Sequence, residues 1–270
     1  TYFKLEDVGV LAPGKIADIA VIEDLENMTV EGVFIDGKLV AYKGKLLIDL
    51  PTYTYPEEVK NSIKRGPISE KDLEIKAQGT TARVRCIKLI PDQNLTGKQE
   101  ETVRVYKGVA QPDVSTDTLL IACIERYGRN GNIGKAFVKG FGMKEGAFAE
   151  SVSHDAHNII VVGTNIRDMV LAVNRVIEIG GGIVIANKGR ILSDMRLPVG
   201  GLITDELNGH EVSEKVAEME RIVIEDLGCK VHGPFMHLSF LSLSTSPEWK
   251  ITDKGLVDVN NFKILPPVIE

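Results

Sequence analysis

Five consecutive positions hold the densest group of chemically active side chains in the sequence. They include two imidazoles, a carboxylate and a carboxamide, which belong to His154, Asp155, His157 and Asn158. Such groups can ligate a metal ion, relay protons or form hydrogen bonds with a substrate. Three interpretations stay open for them: structural hydrogen bonding, contact with a substrate at an active site, and metal ligation.

The spacing of the two histidines bears on metal binding. Alternate residues of a strand share a face, so His154 and His157 would point in different directions on a regular strand. Only a bend or a helical turn would bring the two rings together. A zinc site would also need further ligands, and the remaining histidines are His210, His232 and His237. We predict no metal ligand and no cofactor-binding residue in this chain, and we assign it no catalytic residue.

Two other stretches have a distinctive composition. Residues 131–142 place four glycines among apolar residues. Glycine permits positive φ or close backbone approach, which suits a ligand-facing loop, tight packing or a domain contact. Their spacing does not match the GxxxxGK[ST] phosphate loop. The apolar side chains of residues 235–240 are typical of a core or an interface.

The elements that position these residues are of mixed type. Cap residues and apolar stripes predict one helix from residue 166 to about 179, behind Asn165, and another behind Ser213 that ends at Leu227. Turn residues and alternating patterns predict two hairpins and four further strands. These lie at residues 30–41, 182–192, 73–76, 81–89, 102–106 and 119–124.

The order of strands and helices favours an α+β fold over a doubly wound sheet. Residues 1–50 form short strands that are too few for a core of their own, so they must complete a sheet supplied elsewhere. Residues 51–68 have no sustained period and are predicted to be a linker. Residues 69–270 are predicted to form a layered, mixed α+β domain.

Composition excludes several classes of protein. The formal net charge of −6 over 270 residues argues against nucleic acid as a partner, although a local basic patch stays open. The apolar runs are far shorter than the roughly 20 residues that cross a membrane. Three cysteines without a CxxC pair indicate buried thiols in a reducing cytoplasm. Because the sequence starts at Thr1, we expect a piece of a longer protein.

Several segments together carry a family resemblance. The sequence GVLAPGKIADI at residues 9–19 resembles the closing segment of metal-dependent amidohydrolases, where the chain leaves the TIM barrel and returns to a small β-sandwich. The stretches GNIG, FVKGFG, SVSHDAHNIIVVGTN, LAVNRVIEIGGG, PFMHLSFLSL and ITDKGLVDV resemble the C-terminal region of adenine deaminases. The resemblance covers nearly all of residues 1–258. It implies that residues 1–50 are the C-terminal strands of the amidohydrolase β-sandwich.

The resemblance also implies an activity. The parent enzyme would hydrolyse adenine to hypoxanthine and ammonia in purine salvage, with water activated by a divalent metal, manganese or iron. In that family the HxH pair and the other metal ligands belong to the catalytic barrel, and this chain contains no HxH. We therefore expect the catalytic barrel domain to be a partner of this chain, and the chain alone to be inactive.

Three roles for the chain remain open. Residues 154–158 could cover the barrel mouth and contact the purine, or support residues that do. Alternatively, the chain is a structural module of a homo-oligomer, with the glycine-rich and Phe/Met-rich stretches at its interface. The third possibility is an independent enzyme that uses His154 and His157.

Overall fold

The chain divides into two units, residues 1–54 and residues 55–270. The computed structural model describes residues 3–51, 53–60 and 62–269. The division places residues 55–68, most of the predicted linker, in the second unit. Within the described ranges, no helix has the length and apolar content needed to cross a membrane.

The first unit is a four-stranded antiparallel sheet in sequence order. Its strands are β1 (Ile19–Asp24), β2 (Thr29–Ile35), β3 (Lys38–Tyr42) and β4 (Lys45–Leu46). The turn between β2 and β3 has positive φ at both Asp36 (48°) and Gly37 (73°), which confirms the predicted hairpin. Of the described residues of this unit, only Gly32 and Val40 are buried. This sheet therefore lacks a core of its own.

The second unit combines five helices with two sheets among its described residues. Its helices are α1 (Glu57–Lys60), α2 (Glu70–Leu73), α3 (Ile166–Glu178), α4 (Gly209–Glu225) and α5 (Pro234–Phe240). Its strands are β5 (Thr81–Leu89), β6 (Thr96–Tyr106), β7 (Val109–Ala110), β8 (Thr118–Ile124), β9 (Ile133–Lys139), β10 (Ala147–Glu150), β11 (Ile159–Gly163), β12 (Gly182–Asn187), β13 (Arg190–Arg196), β14 (Trp249–Thr252), β15 (Gly255–Asp258), β16 (Lys263–Leu265) and β17 (Val268–Ile269). The predicted α+β class is confirmed.

The central sheet of the second unit has the strand order β13-β12-β10-β11-β8-β9-β5-β6-β7, and β17 also pairs with β5. Strands β5 and β9 are parallel, whereas β8 pairs antiparallel with both of its neighbours. Strands β14, β15 and β16 form a separate sheet. The order is not that of repeated βαβ units, in agreement with the prediction.

Alternate residues of the central strands contribute to two separate cores. In β8, Leu119 and Ile121 belong to one core, and Leu120 and Ala122 belong to the other. Side chains of α4, α5, β14 and β15 close the first core, and those of α2 and α3 close the second. Because both faces are covered, every residue of β8 and β11 is buried.

Helix α3 agrees with the sequence prediction. The side chain of Asn165 accepts a hydrogen bond from the backbone N–H of Asp168 at 2.8 Å, as an N-cap residue does. The second hairpin is also confirmed, because β12 and β13 are joined by Lys188 and Gly189, both with positive φ. The strands predicted at 81–89 and 119–124 are present, and the one at 102–106 is the second half of the longer β6.

Two predictions about elements were wrong. The range 73–76 begins with the last residue of α2, because the Asp72 carboxylate accepts hydrogen bonds from the backbone N–H and hydroxyl of Ser69 and so favours a helical turn. Its other end forms only an isolated antiparallel bridge, between Lys76 and Val109, instead of a strand. Helix α4 begins behind Asn208, not behind Ser213. The Asn208 side chain accepts from the N–H of Glu211, whose carboxylate accepts from the N–H of Asn208, a complete capping box.

The glycine-rich stretch packs against another sheet. A β-carbon at Gly134 would lie 1.8 Å from the carbonyl oxygen of Thr252 and 2.7 Å from the backbone nitrogen of Gly255. Strand β9 therefore approaches the turn between β14 and β15 more closely than a side chain permits. Tight packing accounts for Gly134, one of the interpretations that the sequence left open.

Candidate functional site

Loops from several strands meet at one end of the central sheet. Strands β8 and β10 end there, and their antiparallel neighbours β11 and β12 begin there. Strand β13 ends at the same edge. The topology thus gathers residues 125–131, 151–158 and 197–201, which we call the loop junction. All four candidate residues lie in its second segment.

His154 is held against α5. Its Nδ1 lies 2.6 Å from the hydroxyl of Ser239, and its ring centroid is 5.0 Å from that of Phe240. Its backbone is bound as well, because the N–H donates to the carbonyl of Ser239 at 3.2 Å and the carbonyl accepts from the hydroxyl of Ser242 at 2.6 Å. These bonds fix both the backbone and the ring of His154.

His157 lies beside His154 despite the spacing of three. The segment turns, His157 adopts a φ of 49°, and the two ring centroids are 5.5 Å apart. The bend that the sequence required for convergence is therefore present. Among the described residues, no hydrogen-bond partner reaches the buried Nδ1 of His157.

Burial lowers the pKa of His157, and the neighbouring His154 and Arg126 lower it further, while Asp155 acts in the opposite direction. Its usual value is 6.5, so the imidazole is neutral at pH 7. A neutral imidazole has one donor and one acceptor nitrogen. The ring of His157 therefore has one donor and one acceptor nitrogen, of which Nδ1 is enclosed.

The other two candidate residues differ from each other in burial. Asp155 lies at the exposed tip of the segment. Asn158 is buried, and its side-chain oxygen accepts from the backbone N–H of Arg126 at 3.4 Å. The structure thus brings His154 and His157 together, leaves Asp155 in solvent and directs Asn158 toward the interior.

Arg126 connects the three segments of the loop junction and was missed by sequence reasoning. It is 1% exposed. Its Nε donates to the carbonyl of His157, its Nη2 donates to the carbonyl of Gly200 at 2.8 Å, and its Nη1 donates to the hydroxyl of Ser62 at 2.7 Å. Tyr127 adds its hydroxyl as an acceptor at 3.2 Å and its ring face at 4.7 Å. In the sequence, Glu125 and Arg126 directly follow the apolar residues 119–124. A charged pair in that position looks the same as the start of an ordinary exposed loop.

Two carboxyl groups at this end of the sheet are buried. Burial opposes the ionisation of Glu125, but backbone N–H groups of residues 127–131 donate to it, and its pKa is below the usual value. Glu150 is fully buried at the end of β10, and burial raises its pKa well above the usual 4.5. Among the described residues, no partner reaches its Oε1. Glu125 is thus favoured as a carboxylate, whereas burial makes Glu150 keep its proton to a higher pH than an exposed glutamate does.

The residues present do not fit a divalent metal. In the part of the chain that the structure describes, no three His, Cys, Asp or Glu side chains come together as a metal site would require. His154 has its Nδ1 on Ser239, and the three cysteines are buried without a bond to one another. We therefore derive no chemical step through a metal held by this chain.

The fold and the loop junction define a mixed α+β domain with a preorganised polar end, not a metal-binding barrel. The chain belongs to the adenine deaminase C-terminal domain family, whose model matches residues 93–263. The predicted resemblance is confirmed.

Curated relatives carry the same family name. The chain is 67% identical over 268 residues to adenine deaminase 1 of Carboxydothermus hydrogenoformans, covering 99% of this chain and 44% of that protein. It is 43% identical over 263 residues to adenine deaminase of Kosmotoga olearia, covering 97% of this chain and 45% of that protein. Adenine deaminase of Methanococcoides burtonii is 37% identical over 267 residues, covering 97% and 44%. The chain thus spans slightly less than half the length of these relatives.

Proposed function

We propose that this chain is the C-terminal part of a cytoplasmic adenine deaminase that hydrolyses adenine to hypoxanthine and ammonia. In this proposal a separate catalytic barrel holds the divalent metal, manganese or iron, that activates water. Residues 151–158 cover the mouth of that barrel, where His154 and His157 contact the purine or the residues that bind it. The relatives named adenine deaminase, which are more than twice as long, support the activity of the whole enzyme.

The observation that carries the role of this chain is the pair of half-buried imidazoles of His154 and His157, whose ring centroids are 5.5 Å apart. A purine presents donors and acceptors at its edge, which a neutral imidazole complements. The backbone of the segment is fixed from both sides, by α5 at His154 and by Arg126 at His157. A fixed segment loses little conformational entropy when it contacts a ligand.

The first unit supports the presence of a further domain. Several apolar side chains of its strands are exposed, including Val21, Val30, Ile35 and Leu39. Exposed apolar patches of this kind mark surfaces that another element covers. A sheet from the remainder of the enzyme would bury them, as the resemblance to the amidohydrolase β-sandwich implies.

The test of the activity compares two proteins. Loss of adenine absorbance is followed with added manganese or iron, for this chain and for the full-length enzyme that contains it. We expect deamination only by the full-length enzyme. Metal-dependent deamination by this chain alone would contradict the proposal and would favour an independent enzyme that uses His154 and His157.

The test of the covering role uses side-chain variants of the full-length enzyme. We expect His157→Gln to lower kcat/KM by about 10- to 100-fold, as misplaced contacts near a reacting centre do. His154→Gln should have a smaller effect, because its Nδ1 is already bonded to Ser239. His210→Gln is the matched control, because His210 is exposed on α4. Wild-type kinetics in all three variants would remove the covering role while leaving the deaminase assignment intact.

The homo-oligomer predicted from the sequence stays a prediction. The two stretches expected at its interface pack within the second unit, since Gly134 contacts the β14–β15 turn and Phe235 and Leu238 belong to the core. Sedimentation of the full-length enzyme would measure its oligomeric state.

A further inference from the structure

Two segments of the second unit line an open polar cleft of about 470 Å³. Its walls are residues 64–67 and residues 125–131. The N–H of Lys64 donates to the carbonyl of Arg126 at 2.7 Å, and Nη1 of Arg65 donates to the carbonyl of Glu125 at 3.3 Å. A β-carbon at Gly128 would lie 3.1 Å from Lys64, so the walls touch. The cleft is therefore formed without any ligand.

The lining of the cleft carries an excess of positive charge. Lys64, Arg65 and Arg129 contribute three cations, and Glu125 contributes one carboxylate. Among the described residues, none of the three cations forms an ion pair. The Glu125 carboxylate accepts three backbone N–H groups from residues 127–131, at 2.7, 3.2 and 3.2 Å. Its charge offsets only part of the positive charge around the cleft.

The guanidinium of Arg65 is only partly used within the second unit. Its Nη1 donates to the carbonyl of Glu125, and its Nε is enclosed without an acceptor among the described residues, so Nη2 is the nitrogen left for a ligand. The carboxylate of Asp72 acts on Arg65 only through its charge, because its hydrogen bonds go to the backbone N–H and hydroxyl of Ser69. A guanidinium has five donors in a fixed fork that matches the oxygens of an oxyanion.

We propose that this cleft binds the phosphate group of a small phosphorylated ligand. A phosphate group carries between one and two negative charges near neutral pH and three acceptor oxygens, which suits three cations placed on two walls. A carboxylate has only two oxygens and one charge, so it would leave a cation of the cleft unpaired. The net charge of the chain is −6, so these cations stand out against an acidic background. This binding is independent of any deaminase activity.

The experiment is isothermal titration calorimetry of this chain with inorganic phosphate at constant ionic strength, with sodium chloride as the blank. The test variant is Lys64→Gln/Arg129→Gln, since both residues are exposed and their replacement leaves the core intact. The matched control is Lys107→Gln/Arg221→Gln, which removes one exposed lysine and one exposed arginine outside the cleft. Circular dichroism confirms that each variant is folded.

We expect saturable phosphate binding that the test variant weakens by about tenfold for each removed cation, while the control variant binds as the parent does. Adenosine monophosphate and adenosine, titrated in parallel, distinguish the source of the phosphate. Tighter binding of the nucleotide than of free phosphate identifies a nucleotide as the ligand, and equal binding identifies phosphate itself. Heats no larger than those of chloride, or equal losses in the test and control variants, would overturn the phosphate site.

Discussion

A β-carbon at position 201 would lie 2.1 Å from Nη1 of Arg126. The guanidinium occupies the space beside the backbone of Gly201, which has a φ of +73°. The adjacent Gly200 has a similar φ of +63°, but a β-carbon there would have no heavy atom within 4 Å. The two glycines therefore share a backbone conformation and differ in their distance from Arg126.

That difference predicts unequal effects of alanine at the two positions. Gly200→Ala should lower the free energy of unfolding by about 1–2 kcal/mol, the usual cost of a left-handed conformation for an L-residue. Gly201→Ala should lower it by about 1–3 kcal/mol more, because the methyl group overlaps the guanidinium. Urea unfolding followed by the fluorescence of the single tryptophan, Trp249, measures both. Equal losses of unfolding free energy would show that the Arg126 side chain moves away from the added methyl group without destabilising the protein.

Arg126 itself should restrict the local opening of residues 151–158. Arg126→Lys keeps the charge but lacks the fork, so it leaves the carbonyl of Gly200 without its donor and that of His157 with only the Tyr127 hydroxyl at 3.4 Å. Each buried group left unpaired costs about 1–3 kcal/mol. We expect faster backbone hydrogen exchange in residues 151–158, measured by mass spectrometry on the folded variant. Arg221→Lys, an exposed change on α4, is the control and should leave that exchange unchanged.

Unchanged exchange in the Arg126→Lys variant would contradict this role, and the segment would then be held by its other hydrogen bonds, which include those to Ser239 and Ser242 and that of Tyr127 to Ala156. A further readout separates positioning from stability. If Arg126 positions His157, the variant of the full-length enzyme should lose kcat/KM at a temperature where it remains fully folded.

The sequence predicted those parts of the fold that are set by local rules. Helix α3 followed from its cap and apolar stripe, and the hairpin at Asp36 and Gly37 followed from its turn residues. The loop junction could not be predicted, because Arg126, His157 and Gly200 are far apart in sequence and meet only through the pairing of β8, β10, β11, β12 and β13. The spacing of His154 and His157 left open whether their rings meet, because the turn that brings them together, closed by the His157 N–H on the Ser153 carbonyl at 2.6 Å, has no distinctive signal in the sequence.

The start of α4 shows how a local rule fails when two candidates compete. Ser213 precedes an apolar stripe, but Asn208 with Glu211 forms a complete capping box one turn earlier. The stripe marks the buried face of the helix and not its beginning. Polar residues 209–211 extend the helix into solvent before that face starts.

Substitution at the two positions distinguishes the caps. Asn208→Ala should lower the free energy of unfolding by about 1 kcal/mol, because it leaves the N–H groups of His210 and Glu211 without an acceptor. Ser213→Ala, at an exposed position inside the helix, should change it by a few tenths at most or stabilise slightly, since alanine is the better helix former. Thermal unfolding of both variants measures the difference. A larger loss for Ser213→Ala would mean that the helix begins where the sequence first indicated.

Glu150 predicts a specific dependence of stability on pH. Its pKa is raised well above 4.5 in the folded protein by burial, so the folded state keeps a proton that the unfolded state releases. Its contribution to stability is therefore present below about pH 4.5 and is lost as the pH rises toward the raised folded value, by up to about 1.4 kcal/mol per pH unit. Glu150→Gln has a similar shape and no charge, so it should remove this loss. Its stability relative to the parent should increase as the pH rises above about 4.5, measured by urea unfolding.

Glu145 provides the contrasting control for Glu150. Hydrogen bonds from Lys188 and Asn187 lower its pKa, so its contribution is present at neutral pH and is lost as the pH falls. Glu145→Gln should therefore differ from the parent most at neutral pH and least in acid, with the parent the more stable protein. Glu150→Gln should also differ most at neutral pH, but with the variant the more stable protein. A pH-independent difference for Glu150→Gln would mean that Glu150 ionises at its ordinary pKa and that water reaches its carboxyl group at the end of β10.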